Sequence, residues 1–294
     1  MKFRKRVDLW FLQYLRLFRL AQASRRLKLA DTFIDFPQSL PTGTLPFVIF
    51  TAADSLYLHR FLVPYCASIM AHVAAPHLHL HLYNTKDEDL ELIRKTRQAF
   101  PDLTISWSLE YFYPLEWEKR AQSSERQSWK SLYICTSRFI AADEFQKRSG
   151  CNLLITDIDI LFNGDVSSRF TDKIDVSMML RLKQRNICKR TLGGVIYVSA
   201  TKVGRTFLSQ TALEVRRFLS AGFYWFAFDQ LALYRAFKSM SKDAIRSGFS
   251  PLTDSDITFD MHRDGMILFP KGKIKNSQEF VDRVKSYIKD MERE

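Results

Sequence analysis

The sequence predicts an α/β fold built on a mostly parallel sheet with helices on both sides. Three observations predict it. Strand-like and helix-like stretches alternate four strands deep between residues 47 and 162. One of them, "HLHLHLYN" at 77–84, keeps a strict two-residue alternation. Another, "DEDLELIRKTRQAF", places its acids first and its bases last, the order a helix macrodipole favours. With 294 residues, 46% hydrophobic and 14% aromatic, the chain has ample material for a compact core.

The elements follow in order. Residues 1–28 hold "MKFRKR", Arg16, Arg19, Arg25, Arg26 and Lys28 against the single acid Asp8. Coiled as a helix, they put Phe3, Val7, Trp10, Phe11, Tyr14 and Phe18 on one side. Asp8, Gln13, Arg16 and Arg19 interrupt any run of the roughly 20 apolar residues that a bilayer span requires. They also spoil a signal peptide, although "AQA" at 21–23 mimics a cleavage site. Two readings fit this arm: a helix lying on an anionic membrane surface, or a helix packed on the main domain with a solvated basic edge. The expectation is a basic arm over residues 1–40, on a cytoplasmic protein peripheral to the inner membrane face.

A Pro- and Gly-punctuated linker covers 35–46, and "FVIFTAAD" then reads as a buried strand. "YLHRFLVPYCASIMAHV" is helical, with Pro64 expected in its first turn or at a kink. In the alternating strand Leu78, Leu80 and Leu82 are expected to point inward, leaving His77, His79 and His81 as a polar face rather than a metal set. "LTISWSLEYF" is a strand, "SWKSLYICTSRFIAADEFQ" a long helix, and "NLLITDIDILF" the next strand.

In open sheets of this kind ligands bind beyond the carboxyl ends of the strands, where Asp54 and Asp157 both fall. Asp157 and Asp159 form an Asp-x-Asp pair, two hard oxygen ligands suited to Mn²⁺ or Mg²⁺ and a phosphate; the pair taken alone fits a solvated, backbone-capping turn equally well. Five of the six histidines lie between 59 and 81, so His262 stands apart as a candidate third metal ligand; taken alone it fits an ordinary surface histidine in a basic tail better. Lys271, Lys273 and Lys275 follow as point charges for a diphosphate.

Two rival readings stand beside an enzyme of this kind: a noncatalytic basic protein that binds a membrane or nucleic acid and, ranked lower, a phosphatase. The four cysteines form no Cys-x-x-Cys pair, which argues against a zinc ribbon or a disulfide framework and suits a reducing compartment. A net charge of +12 points to an anionic partner. Nucleic acid is disfavoured because no nucleic-acid-binding motif is present and the arm accounts for part of the charge. A haloacid-dehalogenase-type phosphatase would place Thr or Ser two residues after the second aspartate, where Leu161 stands.

Together these stretches resemble the GT-A-fold glycosyltransferases that use nucleotide-diphosphate sugars, in layout the glycogenin and lipopolysaccharide galactosyltransferase group. "FTAADSLYL" is similar to the first strand and loop that cradle the nucleotide, which implies donor contacts from Thr51, Ala52, Asp54 and Tyr57. "SLYICTSRFIAADEF" resembles the helix whose arginine, here Arg138, approaches the donor. "ITDIDILFNGDV" matches the metal-binding segment, implying Asp157 and Ile158 beside the donor, with Asp157 and Asp159 on the metal. "LGGVIYVSAT" resembles the acceptor-side strand, with Gly193 and Gly194. "FAFDQLAL" matches the Asp-Gln helix start that puts Asp229 and Gln230 at the reaction face. The aromatic run 223–226 before it reads as a sugar-stacking wall or as core packing.

The resemblance implies a glycosyltransferase domain over 41–275, a C-terminal helix over 276–294, retention at the anomeric carbon, a UDP-sugar donor, and a glycan, lipid-linked or protein acceptor. The late segment departs from the family pattern. His262 and Gly265 keep its beginning, whereas "MILFPKGKIK" replaces the usual Lys-Pro-Trp ending, so Lys271 or Lys273 is expected at the phosphates.

Overall fold

The computed structural model describes residues 34–42, 45–111, 123–171, 173–220, 227–270, 274, 275 and 277–291, apart from the side chains of 123–130 and 287–291. The basic segment 1–28, the aromatic run 223–226, Lys271 and Lys273 lie outside these residues.

The elements are β1 (Ile34–Asp35), β2 (Val48–Asp54), α1 (Ser55–His72), β3 (His77–Tyr83), α2 (Asp87–Ala99), β4 (Thr104–Glu110), α3 (Ser123–Ser149), β5 (Leu153–Asp157), β6 (Leu161–Phe162) and β7 (Val176–Leu180), followed by β8 (Thr191–Val198), α4 (Lys202–Ser220), α5 (Phe228–Ser239), α6 (Lys242–Gly248), β9 (Ile257–Thr258), β10 (Ile267–Leu268) and α7 (Gln278–Met291). Seven strands form one sheet in the order β1-β4-β3-β2-β5-β8-β7. β2 to β5 run parallel, while β8 is antiparallel to both β5 and β7. The chain winds outward from β2 through β3 to β4, then returns through α3 to place β5 on the other side of β2. That reversal opens a crevice between the carboxyl ends of β2 and β5, where Ala52 pairs with Asp157. A small sheet, β6-β10-β9, lies beyond β5 in the chain.

Helices cover both faces, because the parallel strands are apolar on both. On one face Ile49, Leu80 and Leu154 pack with Leu58, Leu62 and Ile69 of α1 and with Phe280 of α7, so the C-terminal helix shares this core. On the other, Val48, Phe50 and Ile155 pack with Phe139 and Phe145 of α3 and with Phe207 of α4. Each fully buried Leu, Ile or Phe contributes roughly 1.5–3 kcal/mol.

Asp54 caps α1, its carboxylate accepting from the Tyr57 N–H at 3.1 Å. Pro64 sits in the interior of α1 rather than in the first turn. α2 carries Asp87, Glu88 and Asp89 in its first turn and Arg97 in its last, the dipole-favoured order.

The histidine face of β3 differs from the expected half-buried strand, since every residue from His77 to Tyr83 is buried. β4 supplies polar partners in register, and α3 covers them. His77 Nε2 meets Ser106 Oγ at 2.9 Å, which also meets His79 Nδ1 at 2.8 Å. His79 Nε2 meets Ser108 Oγ at 3.0 Å, and His81 Nδ1 meets the same oxygen at 2.9 Å. His81 Nε2 reaches Glu110 at 2.9 Å, and Glu110 accepts from the Tyr133 hydroxyl of α3. A polar face can be buried when each group has such a partner, and alternation alone does not reveal the partners. The row is hydrogen-bonded internally and forms no metal cluster among the described residues.

Candidate active site at the carboxyl rim

The crevice between β2 and β5 is lined by Ala52, Ala53, Asp54 and Tyr57 from the β2–α1 corner, by Ser131, Ile134, Cys135 and Arg138 from α3, and by Asp157, Ile158, Asp159 and Lys275. Thr51 is fully buried in β2, one residue behind this lining. Tyr57, 42% exposed, stands at the mouth.

Arg138 organises the floor. It is buried on α3, and its guanidinium is paired with Asp157. Nη2 also donates to the Gly193 carbonyl at 2.7 Å and lies 3.4 Å from Asp229 Oδ2. Burial works against its charge, but the two carboxylates more than compensate and hold it cationic. Asp229 enters from the first turn of α5, after Ala227 has taken a left-handed conformation at φ 77°. Burial raises the Asp229 carboxyl, while Arg138 opposes that rise.

The two glycines of β8 make room for this arrangement. A Cβ on Gly193 would lie 2.3 Å from Asp229 Oδ2. One on Gly194 would lie 1.9 Å from the Phe269 ring and 2.7 Å from Asp157 Oδ2. Gln230 faces the other way: with its amide nitrogen turned inward it donates to the Thr191 carbonyl at 2.7 Å and the Cys188 carbonyl at 3.0 Å. Its side chain thereby ties α5 to the start of β8.

Asp159 is the inner carboxylate, 3% exposed. Its Oδ2 is paired with the Lys275 ammonium, whereas Oδ1 is buried without a hydrogen-bond partner. Burial and the neighbouring Asp157 charge push this carboxyl up to about 6. Lys275 in turn is held charged by Asp159 despite its own burial. The Lys275 backbone is fixed by Arg60, which donates to its carbonyl at 3.0 Å, and its ammonium lies 5.9 Å from the Tyr57 ring centre.

Most of the expected site residues therefore converge. Asp54, Tyr57, Arg138, Asp157, Ile158 and Asp159 line one crevice, with Asp229 and the two glycines directly behind it. His262 is not brought to it: its side chain is 78% exposed, lies 3.5 Å from Glu279, and lines a separate cleft with Asn163 and Arg283. Lys275, the last of the three alternating lysines, is the one paired with Asp159; Lys271 and Lys273 lie outside the described residues. Cys135 was not anticipated, and only its position one helical turn before Arg138 signals it.

No protein-family model matches this sequence, and neither does any curated protein. Solved structures do match. GlyE, a glycosyltransferase of Streptococcus pneumoniae TIGR4, aligns at TM-score 0.53 with 13% identity over 83% of this chain; the alignment spans 63% of GlyE, less than two thirds of its length. LgtC, a galactosyltransferase solved in complex with donor and acceptor sugar analogs, aligns at TM-score 0.53 with 11% identity over 81% of this chain and 95% of LgtC. An active-site mutant of LgtC aligns at TM-score 0.55 with 12% identity over 82% of this chain and 95% of its own. At such identities the likeness is one of fold, and it agrees with the strand order and the crevice: the chain has the GT-A glycosyltransferase fold.

Proposed function

We propose that this chain is a glycosyltransferase that takes a sugar from a nucleotide-diphosphate sugar, with UDP-sugar the favoured donor. The observation that carries the reading is the convergence of Arg138, Asp157, Asp159 and Lys275 on one crevice at the switch point of a GT-A sheet. In the reaction the bond from the anomeric carbon to the diphosphate breaks, its electron pair leaving on the phosphate oxygen. An acceptor hydroxyl forms the new bond and loses its proton. The added charge on the departing diphosphate is what the site has to stabilise.

The residues fit a divalent cation. Asp159 Oδ1 is a buried carboxylate oxygen without a hydrogen-bond partner, and Asp157, two residues before it, lines the same crevice. Asp157 and Asp159 would hold Mn²⁺ or Mg²⁺, which supplies Lewis-acid neutralisation of the leaving diphosphate. Lys275, with Lys271 and Lys273 nearby in sequence, adds positive charge from the chain. Arg138 fixes the orientation of Asp157. Asp229 is nearly buried and pairs with Arg138, which favours a role in positioning that guanidinium. The glycines leave the acceptor-side wall thin. Retention at the anomeric carbon, a glycan or lipid-linked acceptor, and an anionic membrane surface contacted through residues 1–28 complete the proposal. Among the described residues no helix is long and apolar enough to cross a membrane.

The test is hydrolysis and transfer by the purified full chain across a panel of nucleotide sugars, with and without Mn²⁺. Metal-stimulated turnover should fall at least about a hundredfold in Asp157→Ala and in Asp159→Ala. Turnover that survives both substitutions, with its metal response intact, overturns the reading.

A further inference from the structure

A second concavity runs beside β7, the edge strand of the main sheet, and reaches its carboxyl end at Leu180. It is a groove of about 1070 Å³ bordered by the loop between β7 and β8 and by α5 and α6. Its floor is apolar: Leu180, Phe237, Ile245 and Phe249 line it. Its lip is cationic: Arg181, Lys183, Arg185 and Lys189 border it, and no acidic residue is among its lining residues. Leu182, on the same lip, leaves 56% of its surface exposed.

The loop is firmly placed against the proposed reaction face. β7 runs parallel to β5, so its end at Leu180 and the loop that follows lie on the rim that carries Asp157. Arg190 donates to the Tyr234 hydroxyl of α5 at 2.6 Å, and the Thr191 hydroxyl donates to the Gln230 carbonyl at 2.7 Å. Two and three residues beyond Thr191 along β8, Gly193 and Gly194 back the crevice.

We propose that this groove binds an amphipathic anion, the phosphate-bearing end of a lipid, with hydrocarbon on the Phe237–Phe249 floor and phosphate at the Lys183–Lys189 lip. The volume is that of a small-molecule site. Burying alkyl or prenyl chain is favourable in proportion to the apolar area removed from water, and several cations facing an anion beside a low-dielectric floor contribute more than each does on an open surface. A sugar acceptor without charge or hydrocarbon would use neither feature. That the lipid is the acceptor rests on the transferase reading; that it binds here does not.

The test is calorimetric titration of the full chain with farnesyl phosphate, farnesol and inorganic phosphate, with no donor present. Wild-type protein should bind farnesyl phosphate at least about tenfold more tightly than either fragment. The variant Lys183→Gln/Arg185→Gln/Lys189→Gln should lose at least about tenfold of that affinity, and Leu182→Ser should weaken it too. All four side chains are exposed, so folding is spared. No binding, equal binding by inorganic phosphate, or an unchanged affinity in the triple variant each overturns the proposal. UDP binding by the triple variant, measured alongside, should match wild type; because it reports on the Asp157–Asp159 crevice alone, it separates failure of the groove from failure of the transferase assignment.

Discussion

Lys275 and Asp159 are separated by 116 residues and meet as an ion pair at the inner end of the crevice. The ammonium holds one carboxylate oxygen, and the other is left buried without a hydrogen-bond partner. The chain thus places a cation of its own where a divalent ion would also be drawn.

That pairing predicts competition. Lys275→Met should raise the affinity of the donor-free protein for Mn²⁺ by about tenfold, measured by electron paramagnetic resonance, because an attractive single charge no longer occupies Asp159. Turnover should fall in the same variant if the crevice binds a nucleotide diphosphate as proposed, since a positive charge is lost there. A weaker Mn²⁺ affinity would show that Lys275 does not compete for the carboxylate.

Arg138 anchors two carboxylates and a carbonyl at once. Arg138→Ala should destabilise the fold by about 3–5 kcal/mol, the range for removing one partner of a buried ion pair, read from denaturant unfolding. Arg138→Lys should recover only part of it, because an ammonium does not reproduce the guanidinium fork. Adding Asp229→Asn to Arg138→Ala should recover stability, by removing a carboxylate left unpaired; a further loss would refute the coupling.

Gly194→Ala tests the thin wall. Its Cβ would meet the Phe269 ring and Asp157 Oδ2 inside van der Waals contact. The substitution should cost about 1–3 kcal/mol of stability by overpacking and reduce transfer by displacing Asp157. Thermal unfolding and a rate assay on the same preparation check both effects.

The histidine row makes stability fall on acidification. Burial lowers the His77 imidazole from 6.5 to about 4 and holds His79 well below its ordinary value. The folded protein keeps these rings neutral while the unfolded chain protonates them near 6.5, so the unfolded state binds more protons below that pH. Their stabilisation is complete above about 6.5 and is lost as pH falls toward 4. For fully buried His79 the slope reaches about 1.4 kcal/mol per pH unit. His79→Gln should flatten the decline in urea midpoints between pH 6.5 and 4; an unchanged slope would place the sensitivity elsewhere.

Sequence periodicity alone established the βαβ alternation, and with it the parallel sheet and the rim on which Asp54 and Asp157 fall. These features repeat every few residues, so a linear reading captures them. The Asp-x-Asp pair was legible too, because two acids ending an apolar strand are conspicuous. Tertiary structure decided what those acids touch. It brought Lys275 rather than His262 to Asp159, turned Gln230 toward the β8 backbone, and buried the β3 histidines against Ser106, Ser108 and Glu110. Each of those outcomes depends on contacts between strands or helices tens to hundreds of residues apart. The loop "RLKQRNICKR" likewise carries a visible charge run, but only the fold sets its cations beside Phe237 and Phe249. Local pattern encodes which surfaces exist, and long-range packing determines which of them meet.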